Sequence, residues 1–351
     1  MSRVFHLFLS LAITGAWAAS GQKPCGLSLV GMSHLQLQDT YMREIHLSDY
    51  AVSRPLWDAT LYRPLQRYVQ EVSRHVAGDN IHLVYVGVGP EAPLFSIAGS
   101  EITFAQRVGK LTLIDISEES LKKSSALLRE RFPSMEIETR VGDITDGAAS
   151  RFTQFLAQAV TASASLSEVA HQLAPERAMA EVFASQGANP SSESLAADIV
   201  YSEMVATFTG TAAMVAFESE LRRKFPFTDE TQTQFDEALK RAFECWQAYN
   251  DRAYQIQLQW MARLAGPKGI VAVATDTEKR FVDPGESSIF SFTTSSFPEA
   301  SPNSALQVLP LSMDEVMWED SQHTVQDETL TRALLPHRHV IHFGTYRGRG
   351  K

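Results

Sequence analysis

Cysteine is nearly absent from this chain: 351 residues contain two, Cys25 and Cys245. Two thiols cannot make a disulfide framework or a cysteine-based zinc centre. In an oxidising compartment they could pair; in a reducing one both are inert thiols. Positive charge is also short. Lys and Arg number 31 against 41 Asp and Glu, a net charge of -10. Phosphate neutralisation needs clustered Lys and Arg, so this balance argues against a general nucleic-acid binder. The one compact basic run, Arg347-Gly348-Arg349-Gly350-Lys351, reads as a frayed, solvated end. No apolar run beyond the N-terminus approaches spanning length, so no stable membrane insertion is expected. No internal repeat is present.

What remains is ordinary globular composition, 44% hydrophobic and 21% charged. The N-terminus, "MSRVFHLFLSLAITGAWAAS", has one Arg, a short apolar run and an Ala16-Trp17-Ala18 cleavage pattern. That predicts a secretory signal peptide over 1–18 and a secreted or periplasmic protein. A true start at Met32 would instead give a cytoplasmic chain.

Apolar residues at helical spacing predict a helical segment over 41–77, within an N-terminal region 19–80. Gly78-Asp79-Asn80 ends it. An apolar run at 81–86, "KLTLIDI" at 110–116 and the alternating "MEIETRV" read as strands. A helix beginning at Ser117, a plausible N-cap, separates the last two. Strand, helix and strand then alternate within a short span, which predicts a doubly wound, mostly parallel α/β sheet over 81–351. Residues 147–195 exceed an ordinary strand connection and read as a helical insertion able to cover a site. Further strands are expected at 198–202, at "IVAVATD" and at "HRHVIHFGTYRG", with a long helix over about 230–264. The Pro- and Ser-rich 283–305 segment reads as a loop.

Ligands bind such sheets beyond the carboxyl ends of the strands. Gly87 and Gly89 follow the first strand, Asp115 closes the second and Asp143 the third. Glycines allow a tight turn and close backbone approach. A carboxylate ending the second strand can accept both ribose hydroxyls, and one after the third can accept from an exocyclic amine. Gly87-Val88-Gly89-Pro90-Glu91-Ala92 formally fits a dinucleotide fingerprint. Against NAD, Pro90 and Pro93 remove N–H donors and Glu91 brings negative charge to a place meant for pyrophosphate. A cationic cofactor without phosphates suits these residues better.

The succession "VYVGVGPE", "LTLIDISEESL", "IETRVGDITD", "ADIVYSEMV" and "LAGPKGIVAVATD" resembles the ordered motifs of class I S-adenosyl-L-methionine-dependent methyltransferases. The resemblance spans about residues 65–280, leaves 147–195 unmatched, and in its middle is closest to the histidine-specific methyltransferase-like group. It implies a Rossmann-like fold and S-adenosyl-L-methionine as cofactor. Residue by residue, it implies that Gly87 and Gly89 pass beneath the methionine part and that Asp115 holds the ribose, with Ile116 near the adenine. Asp143 and Ile144 would meet the adenine edge. Ser202 and Glu203 would face the methyl group or acceptor. The family carries an acid where Tyr85 stands and a glycine where Glu91 stands, so Glu91 would have to serve the cofactor from the loop.

The expected activity is methyl transfer to an unknown, small-molecule acceptor, with Glu203 as the candidate catalytic base. His82 and His171 are further candidate bases. His337, His339 and His342 include an i, i+2 pair, without the further ligands a metal site needs. Two other readings stay open: an exported, degenerate binding or effector protein on the same fold, and an NAD-dependent oxidoreductase.

Overall fold

The computed structural model describes residues 27–41, 63–90, 92–96, 103–184, 194–203, 209–266, 268–282, 289–293, 306–308, 316–320 and 337–348. The expected signal peptide, Cys25 and Glu91 lie outside these residues.

The chain opens with helices α1 (His34–Tyr41) and α2 (Arg63–Arg74), then β1 (Ile81–Val86) and a single turn, α3 (Pro93–Ser96). The 3-10 turn Thr103–Arg107 leads into β2 (Val108–Asp115), α4 (Glu118–Arg131) and β3 (Glu136–Val141). Three helices follow, α5 (Ala148–Thr161), α6 (Leu166–Gln172) and α7 (Pro175–Val182), before β4 (Ile199–Glu203). Two more, α8 (Thr211–Lys224) and α9 (Gln232–Ala265), precede β5 (Ile270–Val282). Short strands β6 (Ile289–Thr293), β7 (Leu306–Val308) and β8 (Val316–Asp320) and the long β9 (His337–Gly348) complete the order.

The sheet runs β3-β2-β1-β4-β5-β9-β7, with β6 on β5 and β8 on β9. The pairs from β3 through β5 are parallel. β9 returns antiparallel to β5. This is the Rossmann-like, doubly wound α/β architecture expected from the sequence. The inner parallel strands β1 and β4 are covered on both faces, which is why they read as unbroken apolar runs, whereas β3 at the sheet edge is largely exposed and alternates. One face, with Leu83, Tyr85, Leu113 and Tyr201, packs against α2, α3 and α4. The other, with Val84, Val86, Ile114 and Val273, packs against Tyr254, Leu258 and Met261 of α9.

Ser117 caps α4 as predicted: its Oγ accepts from Ser120 N at 3.2 Å. Glu118 and Glu119 occupy the first turn and Arg129 and Arg131 the last, each sign matching the helix dipole. Arg107 closes the C-terminal end of α2 by donating to the carbonyls of Ser73, Val76 and Gly78.

The insertion α5–α7 does not stand alone. Together with α1, α8 and the first half of α9 it builds a second, all-helical core around Phe152, Leu156, Phe217, Phe235 and Trp246. Burying one such side chain contributes roughly 1.5–3 kcal/mol. Lys224, at the end of α8, donates its Nζ hydrogens to the carbonyls of Val160, Thr161 and Ser163, satisfying the free end of α5.

Helix α2 lies within the expected helical segment 41–77, and α1 precedes it. Two expectations need correction. The supposed 283–305 loop contains strand β6, which extends the β5 edge by antiparallel pairing; its Ser and Thr are compatible with an outer strand. The fifth strand, β5, runs on to Val282, far past "IVAVATD", because β9 pairs with it along most of that length.

Candidate functional site

The carboxyl ends of β1, β2 and β3 converge. Gly87 N donates to Ile114 O at 2.7 Å, and Gly142 N donates to Asp115 O at 3.0 Å. These bonds continue the parallel ladder one step past each strand. Gly87 and Gly89 both take positive φ, 71° and 61°. That conformation suits glycine and costs other residues roughly 1–2 kcal/mol.

Asp115 ties the ends together. Its Oδ2 accepts from Gly89 N at 3.0 Å and its Oδ1 from Ser117 N at 2.9 Å. Burial pushes its carboxyl above the ordinary value, the backbone N–H groups of Ser117 and Gly89 and, to a smaller extent, of Ile116 pull it back, and the charge of Asp39 on α1 adds to the rise. An ionised carboxylate offers about four lone-pair sites. Two accept well-formed bonds here, with Ile116 N–H close by, so the carboxylate keeps acceptor capacity for a hydroxyl ligand. Ile116 is half-buried beside it. The loop between β1 and α3 is pinned further: Ser124 Oγ donates to Gly89 O, Gln66 Nε2 to Leu94 O at 2.9 Å, and Arg131 Nη1 to Phe95 O.

Asp143 sits beyond β3. Its Oδ1 accepts from Thr145 N at 2.8 Å and Thr145 Oγ1 at 2.6 Å, and its Oδ2 from Gly147 N at 2.9 Å. Most of its acceptor capacity therefore holds the turn that launches α5. Ile144 is buried with Val86 and Ile114. Helix α1 lies across this region. His34 Nδ1 is 3.0 Å from Thr153 Oγ1, and burial lowers the imidazole's pKa while the charge of Asp143 opposes that shift.

Ser202 and Glu203, adjacent at the end of β4, point to opposite faces. Ser202 Oγ accepts from Gln257 Nε2 at 2.7 Å. Glu203 turns toward the α2–α4 side and is buried. Its Oε1 accepts from Tyr85 OH and its Oε2 from Tyr201 OH at 2.8 Å. The two tyrosines pair in register across β1 and β4, and their rings lie 5.5 Å apart. Burial raises the Glu203 carboxyl to about 7, against the lowering effect of both phenols. Tyr85 thus binds the acid at the end of the neighbouring strand. Nothing in the linear sequence signals this pair, whose members are 118 residues apart.

The other candidates separate from this cluster. His82 lies at the amino end of β1, with Nε2 2.9 Å from Thr112 Oγ1. That is the wrong end of the sheet for a base acting in the cleft. His171 is exposed on α6. His337, His339 and His342 fall on β9, where only the backbone is described. Among the described residues no group of three metal-ligating side chains occurs, and no helix is long and apolar enough to cross a membrane. Cys245 is a free, buried thiol, pushed up to about 12 by burial.

Sequence reasoning passed over Asn250, placed within the apolar stripe of α9. It is 4% exposed, and neither its Oδ1 nor its Nδ2 has a hydrogen-bond partner among the described residues.

No protein-family model matches the chain, and no curated protein matches it. Among solved structures, PH0226 protein from Pyrococcus horikoshii OT3 is 10% identical, over 87% of this chain and 92% of that one, with a TM-score of 0.32. The [4+2]-cyclase SpnF is 11% identical, over 91% of this chain and 98% of that one, with a TM-score of 0.37. Superpositions this loose transfer no activity.

Proposed function

We propose that the chain is an S-adenosyl-L-methionine-dependent methyltransferase acting on a small-molecule acceptor. The observation that carries the reading is Asp115. It stands at the end of β2, locks Gly89 through a backbone N–H, and would accept from the ribose hydroxyls with the capacity it has left. One strand further on, Asp143 would contribute the acceptor capacity its own turn leaves free, and Ile144 an apolar floor. The methionine end would lie along Gly87 and Gly89, with Glu91 outside the described residues.

When bound, S-adenosyl-L-methionine supplies a methyl group already activated by its sulfonium. The protein's task is then alignment, which can contribute several kcal/mol of barrier lowering. The pinned β1–α3 loop and α1 would hold the cofactor and exclude water. Glu203 holds a proton near neutrality, between the two phenols that donate to it.

The dinucleotide reading fits less well. The helix after Gly89 is a single turn beginning at Pro93, and Gly89 N is already committed to Asp115. That leaves few N–H groups for a pyrophosphate. The non-catalytic reading draws support from the sequestration of Glu203, both of whose oxygens are engaged, and detectable methyl transfer to any acceptor would remove it. Export, predicted from residues 1–18, belongs to the same proposal.

Calorimetric titration tests it. S-adenosylhomocysteine should bind at micromolar level and NAD should not. Asp115→Ala should weaken binding about tenfold or more, the size of one lost hydrogen bond to a charged group. Equal affinity in wild type and Asp115→Ala, or binding of NAD alone, would overturn the reading.

A further inference from the structure

Glu203 is a buried acid surrounded by phenols and apolar side chains. Both of its carboxyl oxygens are engaged, Oε1 by Tyr85 OH from β1 and Oε2 by Tyr201 OH from its own strand. Opposite it on β5 is Ala274, and beside Tyr85 on β2 is Leu113. From α2 comes Tyr68, whose charge state acts on Tyr201 and whose hydroxyl donates to Gly344 O at 2.7 Å. Arg67 of α2 is exposed. From α3 come Leu94 and Phe95. Arg131 of α4 donates to Phe95 O and lies over the Phe132 ring. Among the described residues no Lys, Arg or His acts on the Glu203 carboxyl.

The loop that carries Gly87 and Gly89 is built on the same packing. Tyr85 stands two residues before Gly87, and its ring lies 6.3 Å from Phe95 and 5.5 Å from Tyr201. Val88, Ala92, Leu94 and Phe95, along the loop and α3, are fully buried in one cluster with both tyrosines. Glu203 therefore bonds to a side chain that supports the loop from the sheet side. With its proton in place the carboxyl is neutral and suits this apolar packing. Without it, a negative charge stands there with two phenol donors and no cation. A buried charge lacking a counter-charge is costly, and admitting water beside it is the relief. Burial leaves the carboxyl at about 7 in the fold, so the proton comes off near neutrality.

We propose that Glu203 is a proton-controlled latch for the cofactor loop: protonated, it lets β1, β4 and the 87–95 loop pack together, and ionised, it loosens that loop and weakens binding at Gly87 and Gly89. The sign follows from linkage. A ligand that needs the protonated form takes up a proton when it binds above the carboxyl's pKa. Its affinity then falls as pH rises, approaching about tenfold per unit. The binding half of this inference rests on the proposed cofactor position. The loosening of the loop does not.

Two measurements on the full chain test it. Gly87 N donates to Ile114 O and Gly89 N to Asp115 Oδ2, so exchange of these two amide hydrogens reports opening of the loop. In the free protein they should exchange at least about threefold faster in the wild type than in Glu203→Gln at pH 8.5, and equally at pH 5.5. Comparing the two proteins at one pH removes the intrinsic base catalysis of exchange. Equal rates at pH 8.5 overturn the proposal. In the second measurement, S-adenosylhomocysteine is titrated at pH 6 and pH 8.5. Its affinity for the wild type should fall about tenfold or more, and for Glu203→Gln by less than about twofold. Titration of the ligand's own groups is common to both. Tyr85→Phe removes a bond that holds the carboxyl's pKa down, so it should move the wild-type fall to higher pH. A merely structural role for Tyr85 would weaken binding at every pH and leave the midpoint in place, and that result overturns the proposal even where Glu203→Gln does not fold. Failure of S-adenosylhomocysteine to bind any form would instead count against the methyltransferase reading, and the exchange comparison would still decide the latch.

Discussion

Replacing Glu203 by glutamine should flatten the pH dependence of stability between about pH 4.5 and 7. The wild-type carboxyl has an ordinary value of 4.5 and stands at about 7 in the fold, chiefly through burial. An acid whose folded pKa is raised keeps its proton in the native state while the unfolded chain has lost it. The native state therefore binds more protons across that window, and stability falls as pH rises through it. Each unit is worth about 1.4 kcal/mol, so the full window amounts to roughly 3 kcal/mol. Glu203 is 7% exposed, so solvent screening takes little from that figure. The glutamine side chain cannot ionise, yet it can still bond both phenols, accepting from one and donating to the other. Urea unfolding of both proteins at several pH values gives the comparison, because the remaining carboxylates cancel in the difference. The wild type should lose stability relative to Glu203→Gln as pH rises from 5 to 8. Parallel curves would refute the claim that this carboxyl is buried between Tyr85 and Tyr201.

His34 should behave in the opposite sense. Burial lowers its folded pKa below the ordinary 6.5, so its contribution is present above that value and lost as pH falls through the lowered one. Urea midpoints at pH 7.5 and 5 should therefore drop more in the wild type than in His34→Gln, and equal drops would contradict its burial against Thr153. Gly269→Ala should be destabilising by about 2–3 kcal/mol or more, an overpacking cost. The added Cβ would sit 2.2 Å from Ala197 O and 2.4 Å from Ala265 O, backbone atoms with nowhere to go; a melting temperature within a degree of wild type would refute the tightness of that turn.

The sequence alone determined the sheet. Strands buried on both faces must be apolar throughout, so β1, β2 and β4 stand out as runs, and Ser117, Gly87 and Gly89 mark the local turns they physically require. The helices of the 147–195 insertion were legible for the same reason, from the period of their apolar residues. Candidate carboxylates at the strand ends were also readable, because chain order dictates where parallel strands finish. Their bonding was not. Whether Asp143 spends itself on Thr145 and Gly147 depends on how one turn folds. That Tyr85 meets Glu203 depends on the register of β1 against β4, which places residues far apart in the chain side by side. The strand inside 283–305 exists through pairing with β5, a partner no local pattern names. Asn250 was hidden in an apolar stripe, since periodicity reports which face of a helix is buried and not what that face meets. Only the tertiary structure decided that its amide is buried with no bonding partner among the described residues.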